Sequence, residues 1–288
     1  MENPKLSVCI PVYNCEKFIA DAIDSVFAQT FGNFELVVLD NHSTDKTGDI
    51  VKKYDDPRLR VIQNAENIGA EANWNLAISE ARGKYVKILC ADDTLYPECL
   101  EKQYRILEEK ENEYVILVCC ARNVINKNSR ILMKRGLARD GKISGINATK
   151  KVIRAGTNLI GEPSAVLFRK TIVRQVGGFD GTIPYVIDLD LWIRMLAKGN
   201  LYAIAEPLCC FRVAEGSWSM EIRKKQRSDF NNLIDKVYAD ERYEINIFDF
   251  ILGKCNAAIN AYKRNLFYKF IEFISPMSPD SCLKNVSD

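Results

Sequence analysis

In the stretch YVKILCADDTLYP, Tyr85 to Pro97, an apolar run reaches Cys90 and is followed by two acids and then a proline. A short apolar run bounded by turn residues reads as a buried strand. Proline is tolerated in the first turn of a helix, where its missing N–H would be unpaired anyway, so a helix is predicted from Pro97 to Lys110. Asp92 and Asp93 therefore stand where a buried strand gives way to a loop.

The same order recurs upstream. LSVCIPVYN, Leu6 to Asn14, reads as a strand. Phe18, Ile19, Ala22, Ile23, Val26 and Phe27 then fall on one helical stripe within Cys15 to Thr30, with Asn14 as N-cap and Gly32 as stop. FELVVLD, Phe34 to Asp40, is a second strand, followed by a helical stretch that ends at the Asp55-Asp56-Pro57 breaker. Arg60 to Gln63 is a third, and Gly69 to Ala81 a helix closed by Gly83. A rhythm of roughly 25 residues per strand and helix predicts an α/β fold, a Rossmann-like, mostly parallel central sheet flanked by helices. Ligands of such sheets bind beyond the carboxyl ends of the strands, which is where Asn14, Asp40, Asn67 and Asp92 fall.

Downstream, Tyr114 to Ala121 is a further strand, and the Lys-, Arg- and Gly-rich segment Asn126 to Gly145 reads as a mobile connection or acceptor-side insertion. Order returns with SAVLFRK (Ser164 to Lys170), the helical DLDLWIRMLAKG and the strand-like LCCFRV. Residues 1–219 are expected to form the α/β domain. Residues 220–288 are expected to form a C-terminal helical extension whose tail, Ser275 to Asp288, is disordered.

The chain's 288 residues can bury a sizeable core. Forty Lys and Arg against 38 Asp and Glu leave a net charge of +2, too balanced for nucleic-acid binding by bulk electrostatics. The N-terminus lacks the look of a signal peptide and no apolar run is long enough to span a bilayer, so a cytoplasmic location is expected, either free or at the inner face of the membrane. Ten cysteines form no CxxC pair and His42 is the only histidine, which argues for thiols as small core residues in a reducing compartment and against a zinc site.

No GxGxxG follows a strand, and neither GxxxxGK[ST] nor GxSxG occurs, which removes the dinucleotide, P-loop and α/β-hydrolase schemes. Acids at strand ends remain. Asp92 can hold a hard divalent ion, Mn²⁺ or Mg²⁺, against a diphosphate, or else cap the following helix with Asp93. Asp40 can accept hydrogen bonds from a base or ribose, or cap its own loop; His42 beside it is expected in solvent. Asp188 and Asp190, two apart on one helix, cannot share a face, so only one aims into the cleft, and Asp188 is the candidate base.

Taken in order, SVCIPVYN, ELVVLDNHSTDKT, NAENIGAEANWNLAISEARGKYVKILCADD, GEPSAVLFRK, VGGFD, DLDLWIR and FRVAEGSWS resemble the family 2 inverting glycosyltransferases of GT-A fold over residues 5–219. The resemblance implies that Pro11, Tyr13 and Asn14 line a nucleotide pocket, that Asp40 meets the uracil or ribose, and that Asn67 and Asn73 help close it. It makes CADD the counterpart of the metal-binding DxD, with Asp92 the ligand, and maps the general base onto Asp188. Cys90, Ile187 and Ala214 depart from the pattern, standing where the family often has an acid, a Glu and a His. The expected activity is transfer of a sugar from a nucleotide diphosphate donor to a saccharide or lipid-linked acceptor. The alternative is a non-catalytic nucleotide-sugar-binding or partner subunit. The run IRKKQR, Ile222 to Arg227, is either a solvated helix face or a contact with an anionic membrane.

Overall fold

The structure, a computed structural model, describes residues 3–214, 220 and 222–274. One sheet of ten strands runs β3-β2-β1-β4-β9-β6-β10-β5, with β7 on β6 and β8 on β10. Its first half, β1 (Leu6–Val12), β2 (Phe34–Asp40), β3 (Leu59–Gln63) and β4 (Tyr85–Ile88), is wholly parallel. All seven residues of β1 and of β2 are buried, as strands covered on both faces must be. The second half is mixed. β9 (Val166–Arg169) runs antiparallel between β4 and β6 (Val115–Asn126), and β6 pairs in parallel with β10 (Asn200–Val213). β5 (Thr94–Leu95) closes the edge against β10.

Helix α1 (Ile19–Phe27) buries Ile19, Ala22, Ile23 and Val26, the predicted stripe. It begins later than the spacing predicts, because Asn14 adopts a left-handed φ of 49° and the chain first makes a turn in which Phe18 and Ile19 donate to the Cys15 carbonyl. Asn14 is thus no N-cap. Its Oδ1 accepts instead from the Thr44 N–H at 2.8 Å, which staples the β1 and β2 end loops together. The short helix α2 (Thr47–Val51) follows β2, and α3 (Ala70–Glu80) follows β3. Gly83 is no helix stop but a close approach: a Cβ there would lie 2.6 Å from the Ser7 nitrogen. Helix α4 spans Cys99–Glu108, entered two residues after Pro97.

The segment from Asn126 to Gly145 is not a loose connection. A turn at Asn126–Arg130 leads into β7 (Ile131–Arg135), antiparallel to β6, and β8 (Gly141–Ile143) then pairs with β10. Its charged residues are those of short sheet-edge strands, where lysine and arginine discourage further pairing. Ser144 accepts from the Asn147 N–H to start α5 (Gly145–Ala155). Helices α6 (Lys170–Val176) and α7 (Ile187–Leu196) follow. In α7 the fully buried Trp192 packs its ring against Phe168 and Phe179 and donates to the Gly161 carbonyl at 3.1 Å.

The C-terminal extension comprises α8 (Gln226–Tyr238) and α9 (Ile247–Ile274). Helix α9 lies on α5 so closely that a Cβ on Gly156 would come 2.3 Å from the Ala257 nitrogen. Asn260 Nδ2 donates to the Ala155 carbonyl at 2.8 Å, and Arg154 pairs with the fully buried Asp249. Among the described residues no helix is long and apolar enough to cross a membrane. The tail expected to be disordered, 275–288, and the motif residues 215–219 lie outside the described residues.

Candidate active site

Beyond the carboxyl ends of β1, β2 and β4 opens a cleft of about 830 Å³. Pro11, Tyr13, Asn14, Asn67, Asn73, Asp92 and Asp188 all line it, so seven of the eight residues singled out in the sequence meet there. Asp40 does not line it. Its side chain is 3% exposed, with Oδ1 accepting from the Ser43 N–H at 2.9 Å, and the cleft instead receives its neighbour Asn41. His42 is exposed and outside the cleft.

One part of the cleft lining is built by asparagines. Asn41 donates to Asn67 Oδ1 at 2.8 Å, Asn64 donates to both Asn41 Oδ1 (2.8 Å) and Asn73 Oδ1 (2.9 Å), and Asn73 reaches the Leu39 carbonyl. The network fixes the loop after β3 against the end of β2, a low-dielectric arrangement in which each bond supports the next. Asn73 is buried and works on shape, whereas Tyr13, 48% exposed, offers an open aromatic face. Asn41 and Asn64 were not singled out from the sequence, where a lone asparagine after a strand reads as a turn residue.

The two adjacent acids divide their duties. Asp93 is fully buried, accepting from Ser164 Oγ at 2.5 Å and from the Arg212 N–H at 2.8 Å. Asp92 is half-buried in the cleft wall, and among the described residues no side chain donates to its carboxylate. Burial raises the Asp92 carboxyl to about 6. Arg212, 1% exposed, holds the loop in place by donating from Nε to the Asp92 carbonyl at 2.7 Å, with its guanidinium 4.5 Å over the Phe18 ring.

A half-buried carboxylate to which no side chain donates suits a cation, so the donor set fits a divalent ion that takes one protein ligand from Asp92 and the rest from phosphate oxygens and water. Among the described residues no cluster of three or more His, Cys, Asp or Glu could cage a metal alone. Cys90 and Ala214 line the same wall and add no hard oxygen ligand. Burial, followed by the charge of Asp92, pushes the nearby Cys15 thiol up to about 12, which leaves it protonated.

The first turn of α7 presents Asp188 to the same cleft, while Asp190 turns inward, 2% exposed, to Arg194 and Lys236. Asn158 Nδ2 donates to Asp188 Oδ2 at 2.9 Å and the Leu189 N–H donates to Oδ1 at 2.7 Å. Burial, and next the negative Glu162, raise the Asp188 carboxyl to about 7. Burial works against ionisation of Glu162 too, but Arg122 and then Arg135 outweigh it and hold that carboxyl below its ordinary value. Glu162 and its ion-pair partner Arg122 escaped the sequence reading, although GEPSAV contains the former.

Known proteins share this fold. Solved structures similar in fold include a TarS fragment of S. aureus in complex with UDP-GlcNAc (TM-score 0.64, 21% identity, covering 80% of this chain and 66% of that one). Another is the mannosyltransferase PcManGT of Pyrobaculum calidifontis in complex with GDP-Man and Mn²⁺ (TM-score 0.57, 18% identity, 94% and 81% covered). In sequence, an uncharacterized glycosyltransferase of Rickettsia typhi is 34% identical over 215 residues, 73% of this chain and 64% of that protein, so the chain spans just under two thirds of that relative's length. EpsE of Bacillus subtilis is 29% identical over 257 residues, 86% of each. The model of the family described as Glycosyl transferase family 2 matches residues 7–177, more than half of the chain and all but the first residue of its parallel half-sheet. With the strand order, the strand-end cleft and this match in agreement, the chain belongs to glycosyl transferase family 2 and has the GT-A fold.

Proposed function

We propose that the cleft binds a nucleotide diphosphate sugar of the UDP class and transfers its sugar, with inversion, to a hydroxyl of a saccharide or lipid-linked saccharide, as in cell-surface polysaccharide synthesis. The observation that carries this reading is that Asp92 and Asp188 line one cleft with raised pKa values, one without a side-chain hydrogen-bond donor and one oriented by Asn158. The similar folds solved with UDP-GlcNAc and with GDP-Man and Mn²⁺ support it.

In this mechanism the base stacks on Tyr13, with the asparagine network shaping the pocket around it and the buried Asp40 fixing the loop after β2 by accepting from the Ser43 N–H. A divalent ion, Mn²⁺ or Mg²⁺, bound at Asp92 would supply positive charge beside the diphosphate. Asp188 accepts the proton of the acceptor hydroxyl as that oxygen bonds to the anomeric carbon, and the bond from that carbon to the diphosphate breaks on the opposite face. Asn158 keeps the Asp188 carboxylate turned toward the acceptor. Exposed Lys224, Lys225 and Arg227 could bring the cleft to an anionic membrane carrying a lipid-linked acceptor.

A thermal-shift screen of nucleotide sugars with and without Mn²⁺ tests the reading, since a ligand at about 100 times its dissociation constant adds about 2.7 kcal/mol to stability. The expected result is stabilisation by UDP-sugars, larger with metal, together with slow release of nucleotide. Stabilisation by no nucleotide sugar sinks it. A second reading, a binding subunit without catalysis, draws on Ile187 and Ala214, apolar where the family often has Glu and His. Metal-stimulated donor hydrolysis that is lost in Asp188→Asn would exclude that reading.

A further inference from the structure

The cleft is also lined by two arginines from distant parts of the chain, Arg135 at the end of β7 and Arg264 on α9. Both converge on one hydroxyl: Arg135 Nη2 donates to Thr157 Oγ1 at 3.1 Å and Arg264 Nη1 donates to it at 3.2 Å. Arg264 Nε is held by Gln226 Oε1 at 2.7 Å, and its guanidinium lies 5.8 Å from the Tyr185 ring centre. Its remaining nitrogen, Nη2, is buried without a hydrogen-bond partner. Among the described residues neither arginine has an ion-pair partner, because the nearby carboxylate of Glu162 is engaged by Arg122.

Two guanidinium groups gathered at one point, with only the Glu162 carboxylate already paired to Arg122 as a nearby counter-charge, are costly to bury, and a buried donor with no acceptor adds to that cost. An anion would satisfy both, and the planar guanidinium fork matches a carboxylate or phosphate in two-point contact. Position identifies which anion. Thr157 is followed by Asn158, the residue that holds Asp188, so the arginines stand on the acceptor side of the base. The nucleotide-side residues Pro11, Tyr13 and Asn14 come from the end of β1, and Asp92 from the end of β4.

Resting on the reading of this cleft as a glycosyltransferase site, we propose that Arg135 and Arg264 form an anion subsite that selects an acceptor saccharide carrying a carboxylate or phosphate group next to the hydroxyl that is glycosylated. This part of the cleft is thereby a specificity element for acidic acceptors, built across β7, the Thr157 turn and α9.

The test uses the full chain saturated with UDP and Mn²⁺, titrated with methyl glucuronide, glycerol 1-phosphate and neutral methyl glucoside. An anionic probe should bind at least about tenfold more tightly than the glucoside, and the better of the two anions identifies the group as carboxylate or phosphate. Arg264→Gln should erase most of that preference while leaving UDP affinity within about twofold. Because Arg264 also fastens α9, Arg135→Gln provides an independent variant with the same expectation. Equal binding of charged and neutral probes, or no binding of the anions, overturns the subsite. Loss of UDP affinity in parallel with anion affinity also overturns it, assigning the arginines to the donor diphosphate. Failure of the wild-type chain to bind UDP at all would instead strike the donor reading, which this titration reports separately.

Discussion

Asn158 and Asp188, thirty residues apart in sequence, meet through a 2.9 Å hydrogen bond from the amide Nδ2 to the carboxylate Oδ2. The bond fixes which oxygen is engaged and leaves the carboxylate facing the cleft. If Asp188 takes the acceptor proton, Asp188→Asn should lower transfer by about 10²- to 10⁴-fold. UDP affinity should hardly change. Near-normal turnover of the variant at saturating donor and acceptor would remove Asp188 from this role.

The base acts in its ionised form. With its carboxyl raised to about 7 by burial and by Glu162, kcat/KM for the acceptor should climb as pH increases toward 7 and level off above it. Asn158 donates to the ionised form, so Asn158→Ala should move the inflection to higher pH. A pH–rate profile flat from 5 to 8 would contradict this.

The same shift affects stability. Folded Asp188 holds its proton more tightly than an unfolded aspartate of ordinary value 3.8, so its ionisation penalises the fold increasingly as pH rises from about 4 to about 7. Asp188→Asn should therefore be more stable than the wild type at pH 8, with the gap closing near pH 4. The carboxylate borders an open cleft, and solvent screening leaves on the order of 1–2 kcal/mol. Chemical denaturation of both proteins at the two pH values measures it.

Asp92→Asn should abolish the gain in UDP affinity that Mn²⁺ confers, with affinity in the absence of metal little altered. Calorimetric titration of UDP with and without Mn²⁺ gives the comparison. An undiminished metal effect in the variant would place the cation elsewhere.

Ser164 is 1% exposed, donates to Asp93 Oδ2 and receives the Cys90 N–H at 3.1 Å. Ser164→Ala leaves both groups without this partner and should cost about 1–3 kcal/mol. Urea unfolding would reveal it as a lower midpoint.

Much of the parallel half of the sheet was legible because it obeys local rules. FELVVLD became a strand with the predicted bounds, and the acids at strand ends mark a cleft because parallel sheets put ligands there. Arginines were the blind spot. Arg212, 119 residues from its Asp93 partner, and Arg122 look like surface residues in sequence and are 1% exposed in the fold. Nothing local announces that a charge will be buried, because the partner that makes burial tolerable arrives from another part of the chain. The β7 and β8 strands were missed for a related reason: exposed edge strands carry too few apolar residues to show a period of two.

Gly156 ends α5 in a left-handed conformation and meets the α9 backbone without room for a side chain, while a Cβ on Gly253 of α9 would lie 2.6 Å from the Ile153 carbonyl oxygen. Two stretches about a hundred residues apart are thereby bound to change together. A relative that alters either glycine must reshape the helix crossing, and with it the reach of Arg264 into the cleft. Chimeras that exchange C-terminal segments between relatives should keep their acceptor preference only when the Gly156 turn travels with the tail.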